Sequence, residues 1–416
     1  MFKTVINHSK KILQSLDDES DYFRPLQYAL VFGGIHFSSD NIHYRLFILY
    51  RIVITLMIVI VFDRIYVALF EWDSMVDTLG AVAFFTETVL IIFRAAAARY
   101  YQQDLQQVRS YLARGLNNQS NRTHERNRSY RIMRGITLWS LACLGVDQIL
   151  LQMFKLSNTR LHGTPDNLTR IGPQWKRIFN YLNTCTYLIF SVLYVANLTV
   201  HSSYLIGIYN SWQDLNAEYA ALFSRVDRKI ELLDEERSAK LSDSEKVKQF
   251  WNILKHELNA TVVHHSELLE QLDILKRFLN LTFLFMFYIH FQSLACGLLY
   301  CVFQGFSIDS ALVGSYILVN LVEMFWIFKL VDDLNAANEN ISFSLYNLDW
   351  HQRLRYVSAL NSDYRQVRVT LLMIMVKTQT KLGISCAGMF EISIEAFGEL
   401  VTKMYNVLAF LLNIIN

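Results

Sequence analysis

Acidic residues near the end of the chain are the first to invite a chemical reading. Glu391, Glu395 and Glu399 recur every four residues, with Lys403 next in the series. On a helix of 3.6 residues per turn this places them in one slowly drifting stripe. Three carboxylates on one face of an apolar helix are expensive in lipid, so they are expected to face water or another polypeptide. Beside an aqueous path they would concentrate cations; against neighbouring arginines they would only hold the helix in place. The spacing serves both readings, and Glu399 can pair with Lys403 one turn on. Glu87 and Asp147 also sit within apolar runs, where a carboxylate is usually paired or functional. Arg51 and Arg64, in another apolar run, are candidate partners.

Reaction chemistry is poorly supported. The cluster His256, Glu257, His264, His265, Glu267 invites a metal check, but Ala260 occupies the position where a zinc-protease helix needs its second histidine. A solvated polar face accounts for the cluster better. No nucleophile–base pair or phosphate-cradling glycine loop is present. The five cysteines (Cys143, Cys185, Cys296, Cys301, Cys386) all fall inside apolar segments, with no zinc spacing and no pattern of a disulfide framework. No cofactor, metal or nucleic-acid partner is called for, and an enzyme is not expected.

The elements that carry these residues follow from composition. Of 416 residues, 53% are hydrophobic and 18% charged, with only three prolines. One soluble core could not hide that much apolar surface. Seven stretches approach the roughly 20 residues a spanning helix needs: 46–70, 75–93, 136–154, 178–206, 278–306, 311–331 and 382–415. The run 369–376 is too short to cross and reads as a buried part of a cytosolic helix. No signal peptide is expected before the first span.

Lysines and arginines set the direction. Five lie before the first span, nine between Arg94 and Arg134, and ten between Arg225 and Arg277; the loop 155–177 holds five and the first loop none. The expected fold is therefore an all-α polytopic membrane protein of seven transmembrane helices, N-terminus cytosolic and C-terminus extracellular. Its segments are a cytosolic tail (1–45), spans one to four (46–207) with outer loop 155–177, a cytosolic helical segment (208–277), spans five and six (278–333), a further cytosolic segment (334–381) and the last span (382–416). The sequon at Asn167 falls in the outer loop; those at Asn118, Asn121 and Asn127 fall inside and should stay bare.

Within 208–277, Trp251, Leu254, Leu258 and Val262, then Leu268, Leu272, Leu275 and Leu279, repeat at helical spacing. Leu279 already belongs to the fifth span, so one helix is expected to run unbroken from cytosol into membrane. Its apolar stripe can pack within one chain or against a second subunit.

The final quarter carries the most specific pattern. Tyr346-Asn-Leu-Asp-Trp350 precedes a basic stretch through Arg353, Arg355, Arg365 and Arg368. Leu371-Leu-Met-Ile-Met-Val376, a polar break at Lys377-Thr-Gln-Thr-Lys381, and the run Phe390, Ser393, Glu395, Phe397 follow. This order, over about the last 75 residues, resembles the C-terminal signature of the insect odorant receptors, and the inverted topology and long helical fourth loop agree with that family. The resemblance implies a split seventh helix and a heterotetrameric, ligand-gated, non-selective cation channel in the plasma membrane of olfactory sensory neurons. It implies co-receptor partners, of which this compact chain would be the odorant-tuned companion. Tyr346 and Trp350 would belong to the subunit anchor. Phe410 would fall at the hydrophobic gate with Asn413 and Ile414 one turn further out, or else face lipid or protein, and Glu391, Glu395 and Glu399 would lie towards the pore's cytosolic mouth.

A small volatile would bind in the outer half of the membrane among Phe84, Phe85, Thr88, Leu144, Gln148, Tyr187, Phe190, Tyr194, Phe291 and Tyr316; Leu151, Tyr300 and Asn320 share that depth. Aromatic walls with few polar groups suit such a ligand. The related gustatory class usually ends in a different seventh-helix motif. A metabotropic seven-span receptor lacks support, because neither Asp-Arg-Tyr nor Asn-Pro-x-x-Tyr occurs where it should. No broken-helix repeat of a transporter is visible.

Overall fold

The computed structural model describes residues 74–117, 123–153, 172–236, 243–354, 356–357 and 360–415, with Ile48, Arg51, Ile52, Thr55, Tyr66 and Phe70 as isolated positions. The tail, most of the expected first span with Arg64, the loop sequon Asn167, and Asn118 and Asn121 lie outside the described residues. Ten helices are numbered here in chain order: α1 (Met75–Tyr100), α2 (Gln102–Asn117), α3 (Thr123–Met153), α4 (Pro173–Ala220), α5 (Leu222–Glu236), α6 (Asp243–Gln304), α7 (Ile308–Tyr346), α8 (Trp350–Arg353), α9 (Asn361–Thr378) and α10 (Ile394–Ile415). Among the described residues the one extended feature is an isolated bridge between Ser385 and Glu391.

Among the described residues four stretches are long and apolar enough to cross a membrane: Thr78–Tyr100, Ile189–Ala220, Ser244–Gln304 and Ile308–Arg353. They fall on α1, α4, α6 and α7; the expected third and seventh spans fall on α3 and α10, which are not among the four. Helix directions follow from side-chain contacts. Ser293 donates to the Ala83 carbonyl near one end of the α1–α6 pair, and Phe278 meets Tyr101 near the other, so these helices are antiparallel. Asn197 donates to the Ile91 carbonyl, while Trp326 and Trp212 bond to Ser202 and Asn338, so α1, α4 and α7 run together. Ile394 meets Asp332, and Phe397 meets Phe325, which turns α10 against α7.

At 1.5 Å per residue, the 62 residues of α6 span roughly 90 Å, about three times a bilayer's hydrocarbon thickness. The helix expected to run unbroken through 251–279 does so. The first half of α6 is densely packed: Trp212, Leu215, Tyr219, Leu222 and Val226 are buried in one core with Trp251, Leu254, Leu268 and Leu272. The apolar stripe on α6 is therefore covered within one chain. The cluster expected to be a solvated polar face is partly buried: Glu257 is clamped by Arg225 and Lys229 of α5, and His265 bonds to Tyr219. Among the described residues no group of side chains could hold a metal ion.

Two expectations near the end of the chain need correction. The run 369–376 is not uniformly buried: Leu371 and Ile374 face the core, but Val369, Leu372, Met373 and Val376 are exposed. A helix that packs on one side covers only one stripe. The last span does not begin at 382, because α10 starts only at Ile394. Residues 379–393 instead fold back on themselves, with Cys386 N–H donating to Phe390 O and Ile392 N–H to Ile384 O. Positive φ at Gly383, Ala387 and Gly388 permits that reversal and forbids a helix through it.

Candidate functional site

Near the end of the bundle where α1 and α7 begin, four helices separate around a cavity of about 120 Å³. Helix α1 contributes Gly80, Ala83, Phe84, Glu87, Thr88 and Ile91; α3 contributes Leu144, Asp147 and Gln148. From α4 come Phe190, Ser191 and Tyr194, and from α7 Leu312, Val313 and Tyr316. The α1 positions advance by three or four residues, which keeps them on one helix face. The lining is mostly apolar, so a ligand would be held chiefly by leaving water.

Of the residues expected at a ligand site, Phe84, Thr88, Leu144, Gln148, Phe190, Tyr194 and Tyr316 meet around this cavity. The side chains of Phe85, Tyr187 and Leu151 lie outside the described residues. Phe291 is half-buried against the main core and does not line the cavity. Its neighbour His290 is the residue of α6 that points at α1, and one step along a helix turns the next side chain about 100° away. Asp147, flagged as a costly carboxylate, lines the cavity and accepts from Ser315 Oγ at 3.2 Å.

Glu87 forms the cavity's most polar wall and opens into a buried network. Its Oε1 accepts from His290 Nδ1 at 2.8 Å and from Asn320 Nδ2 at 2.9 Å. An ionised carboxylate only accepts, so with Glu87 charged the hydrogen of His290 sits on Nδ1. His290 Nε2 lies 3.8 Å from Glu323 Oε2, and Glu323 Oε1 meets Arg94 Nη2 at 2.6 Å. Arg94 also stands 3.3 Å from His201, whose Nε2 is 3.1 Å from Thr282 Oγ1. Glu87, Arg94, His201, His290, Asn320 and Glu323 are all at most 2% exposed. In so dry a setting Arg94 and Glu323 need each other, since an unpaired buried charge costs several kcal/mol. Sequence reasoning sought arginines of the first span for Glu87; the structure supplies a histidine and an asparagine. Polar residues embedded in apolar helices, here His290, Asn320 and Glu323, were the available signal.

The split before α10 is fastened by α6 and α7. Asn338 donates to the carbonyls of Thr378 and Thr380. Leu382 N–H donates to Asn335, Ser385 N–H to Asn280, and Ile394 N–H to Asp332 at 2.7 Å. Asp332 thus satisfies a donor that α10's first turn would leave unpaired. None of these four residues stood out by type and spacing.

Glu391 lies in the folded loop and not on α10, which corrects the expected four-residue series. It pairs with Lys381 at 2.8 Å, and that hydrogen bond holds the Lys381 ammonium above its usual pKa range. Glu395 and Glu399 are on the helix and exposed, and Glu399 pairs with Lys403 at 3.0 Å as expected. Phe410 and Asn413 are exposed on the last turns of α10; the side chain of Ile414 lies outside the described residues. Tyr346 ends α7 exposed, and Trp350 is half-buried against the core.

A family model described as "7tm Odorant receptor" matches residues 74–405. A solved structure of the insect olfactory receptor OR5 from Machilis hrabei superposes with a TM-score of 0.69 at 12% identity, covering 98% of this chain and 99% of that one. The same receptor in complex with eugenol gives 0.67 at 13% identity, covering 94% and 98%. At such identity the likeness speaks for the fold. No curated protein matches the sequence. Spanning helices arranged as in a solved olfactory receptor, and a family match across most of their length, lead to one conclusion: the chain belongs to the 7tm odorant receptor family, multi-pass membrane receptors and not enzymes.

Proposed function

We propose that this chain is the odorant-tuned subunit of a ligand-gated, non-selective cation channel completed by co-receptor subunits in a heterotetramer. It would act in the plasma membrane of olfactory sensory neurons. The cavity of Phe84, Phe190, Tyr194 and Tyr316 takes the volatile, and α10 contributes to the pore, with Phe410, Asn413 and Ile414 towards its outer end and Glu395 and Glu399 towards its cytosolic end. The observation that carries this reading is the contrast within α10. It is a spanning-length helix of 22 residues, yet among its described side chains only Leu400 and Met404 are buried within the chain. A helix bearing exposed Glu395 and Glu399 needs water or protein beside it. The exposed apolar positions of α9, with Tyr346 and Trp350, supply a surface for subunit anchoring. A structure of this fold has been solved with eugenol, a small aromatic, in complex.

Seven spans, an N-terminus in the cytosol and a C-terminus outside complete the reading. The alternating helix directions and the asymmetry of basic residues support it. An epitope tag after Asn416 is expected to label on intact cells and one before Met1 only after permeabilisation. The decisive recording compares cells expressing the chain alone with cells that also express an insect co-receptor. Odorant-gated cation current that needs the co-receptor and survives a block of G-protein signalling is the expected result. Robust current from the chain alone would contradict the tuned-subunit role.

A further inference from the structure

We infer that the cavity selects ligands carrying a hydrogen-bond donor, a hydroxyl or amine N–H on a small apolar body, and that Glu87 is the acceptor that reads it. The inference rests on the reading of this cavity as the ligand site and goes on to name the ligand's chemistry. Glu87 is 2% exposed and lines the cavity, yet its two oxygens are used unequally. Oε1 takes both His290 and Asn320, whereas Oε2 is buried and accepts from no group among the described residues at hydrogen-bonding geometry. The Tyr316 hydroxyl on the same wall interacts with the Glu87 carboxylate, so a ligand donor at Oε2 would share that carboxylate with it. A buried carboxylate oxygen without a donor is costly, and a ligand that supplies one recovers that cost on binding.

The rest of the lining points the same way. Among the described residues no lysine, arginine or histidine lines the cavity, and Asp147 adds a second carboxylate. The Thr88 hydroxyl is already spent on the Phe84 carbonyl at 2.9 Å. Phe84, Phe190, Tyr194 and Tyr316 present rings that suit an apolar body and tolerate a cationic head. A ligand offering only an ether or ester oxygen would set acceptor against acceptor at Glu87. Hydrogen bonds to charged groups are the strong ones, so the discrimination is expected to reach about tenfold or more.

The test uses 3-phenylpropan-1-ol, 3-phenylpropylamine and the methyl ether of that alcohol. Two readouts are taken: thermal stabilisation of the purified chain, and current in cells that also express the co-receptor. Stabilisation by the alcohol and the amine at concentrations at least about tenfold below the ether is expected. Glu87→Gln keeps one oxygen for His290 and Asn320 but replaces the other with a donor, so it should erase or invert that ranking. Glu339→Gln, which changes an exposed carboxylate of α7 outside the cavity, should leave the ranking in place. Equal stabilisation by alcohol and ether, preference for the ether through the Gln148 amide, no stabilisation by any of the three, or an unchanged ranking in Glu87→Gln would each overturn the inference. Donor-selective stabilisation without any odorant-gated current would uphold it while overturning the channel reading.

Discussion

The cavity and α10 differ in how much of their environment one chain provides. The cavity is walled on four sides by α1, α3, α4 and α7, and the charged residues behind it are fully buried and paired with one another. Helix α10 leaves most of its length open, with Tyr405 and Phe410 each more than 60% exposed. A cavity finished within one polypeptide and a helix left largely uncovered suit different jobs. On the proposed function, recognition would belong to the single subunit and conduction to the assembly. The loop 379–393, tied to α6 and α7 through Asn280, Asp332, Asn335 and Asn338, is the covalent and hydrogen-bonded bridge between them.

The largest effect is expected where the cavity's support is most buried. Arg94→Ala would leave Glu323 without its cation in a dry interior, a loss of about 3–5 kcal/mol. Folded receptor at the cell surface should fall close to zero, as measured by surface labelling and size-exclusion chromatography. Normal yield would mean that the region behind the cavity is wetter than its burial shows. Phe190→Ala removes a ring from the cavity wall, where truncation of a buried aromatic costs about 3–5 kcal/mol. Odorant potency should move by decades while maximal current stays near its original level; unchanged potency and odorant ranking at normal expression would place the ligand elsewhere.

Much of the architecture was legible in the sequence. The periods of Trp251, Leu254 and Leu258 foretold a long helix through the fifth span, and the depth of Phe84, Phe190 and Tyr194 foretold residues that meet. What escaped was set by backbone turns and pairwise contacts. Glu391 looked like one step in a helical series because spacing cannot show that Gly383 and Gly388 turn the chain back. Phe291 lies off the cavity because one step in helical phase exchanges it for His290, which faces α1. Glu87 was visible as a costly carboxylate, but its partners lie some 200 residues away on α6 and α7, at a separation no local pattern encodes.

The bridge offers a smaller perturbation. Asp332→Ala removes the acceptor for the Ile394 N–H at the start of α10, which costs about 0.5–2 kcal/mol for a helix N-terminus. Half-maximal odorant concentration should shift several-fold, with thermal stabilisation of the purified chain by ligand unaltered. A change in ligand binding of the same size as the change in gating would place Asp332 in recognition instead.

The smallest expected effect belongs to the exposed carboxylates of α10, and paired with Phe190→Ala it gives the most direct test. Glu395→Gln with Glu399→Gln should barely affect stability, since the exposed Glu399–Lys403 pair contributes under about 1 kcal/mol. Half-maximal odorant concentration and the reversal potential under a calcium gradient are measured together in the same cells, for wild type and both variants, with co-receptor present. The account predicts that Phe190→Ala moves the concentration and leaves the reversal potential alone, while the double α10 variant lowers calcium permeability and leaves the concentration alone. Both quantities moving together in either variant, or an unmoved reversal potential in the α10 variant at normal surface expression, would contradict it.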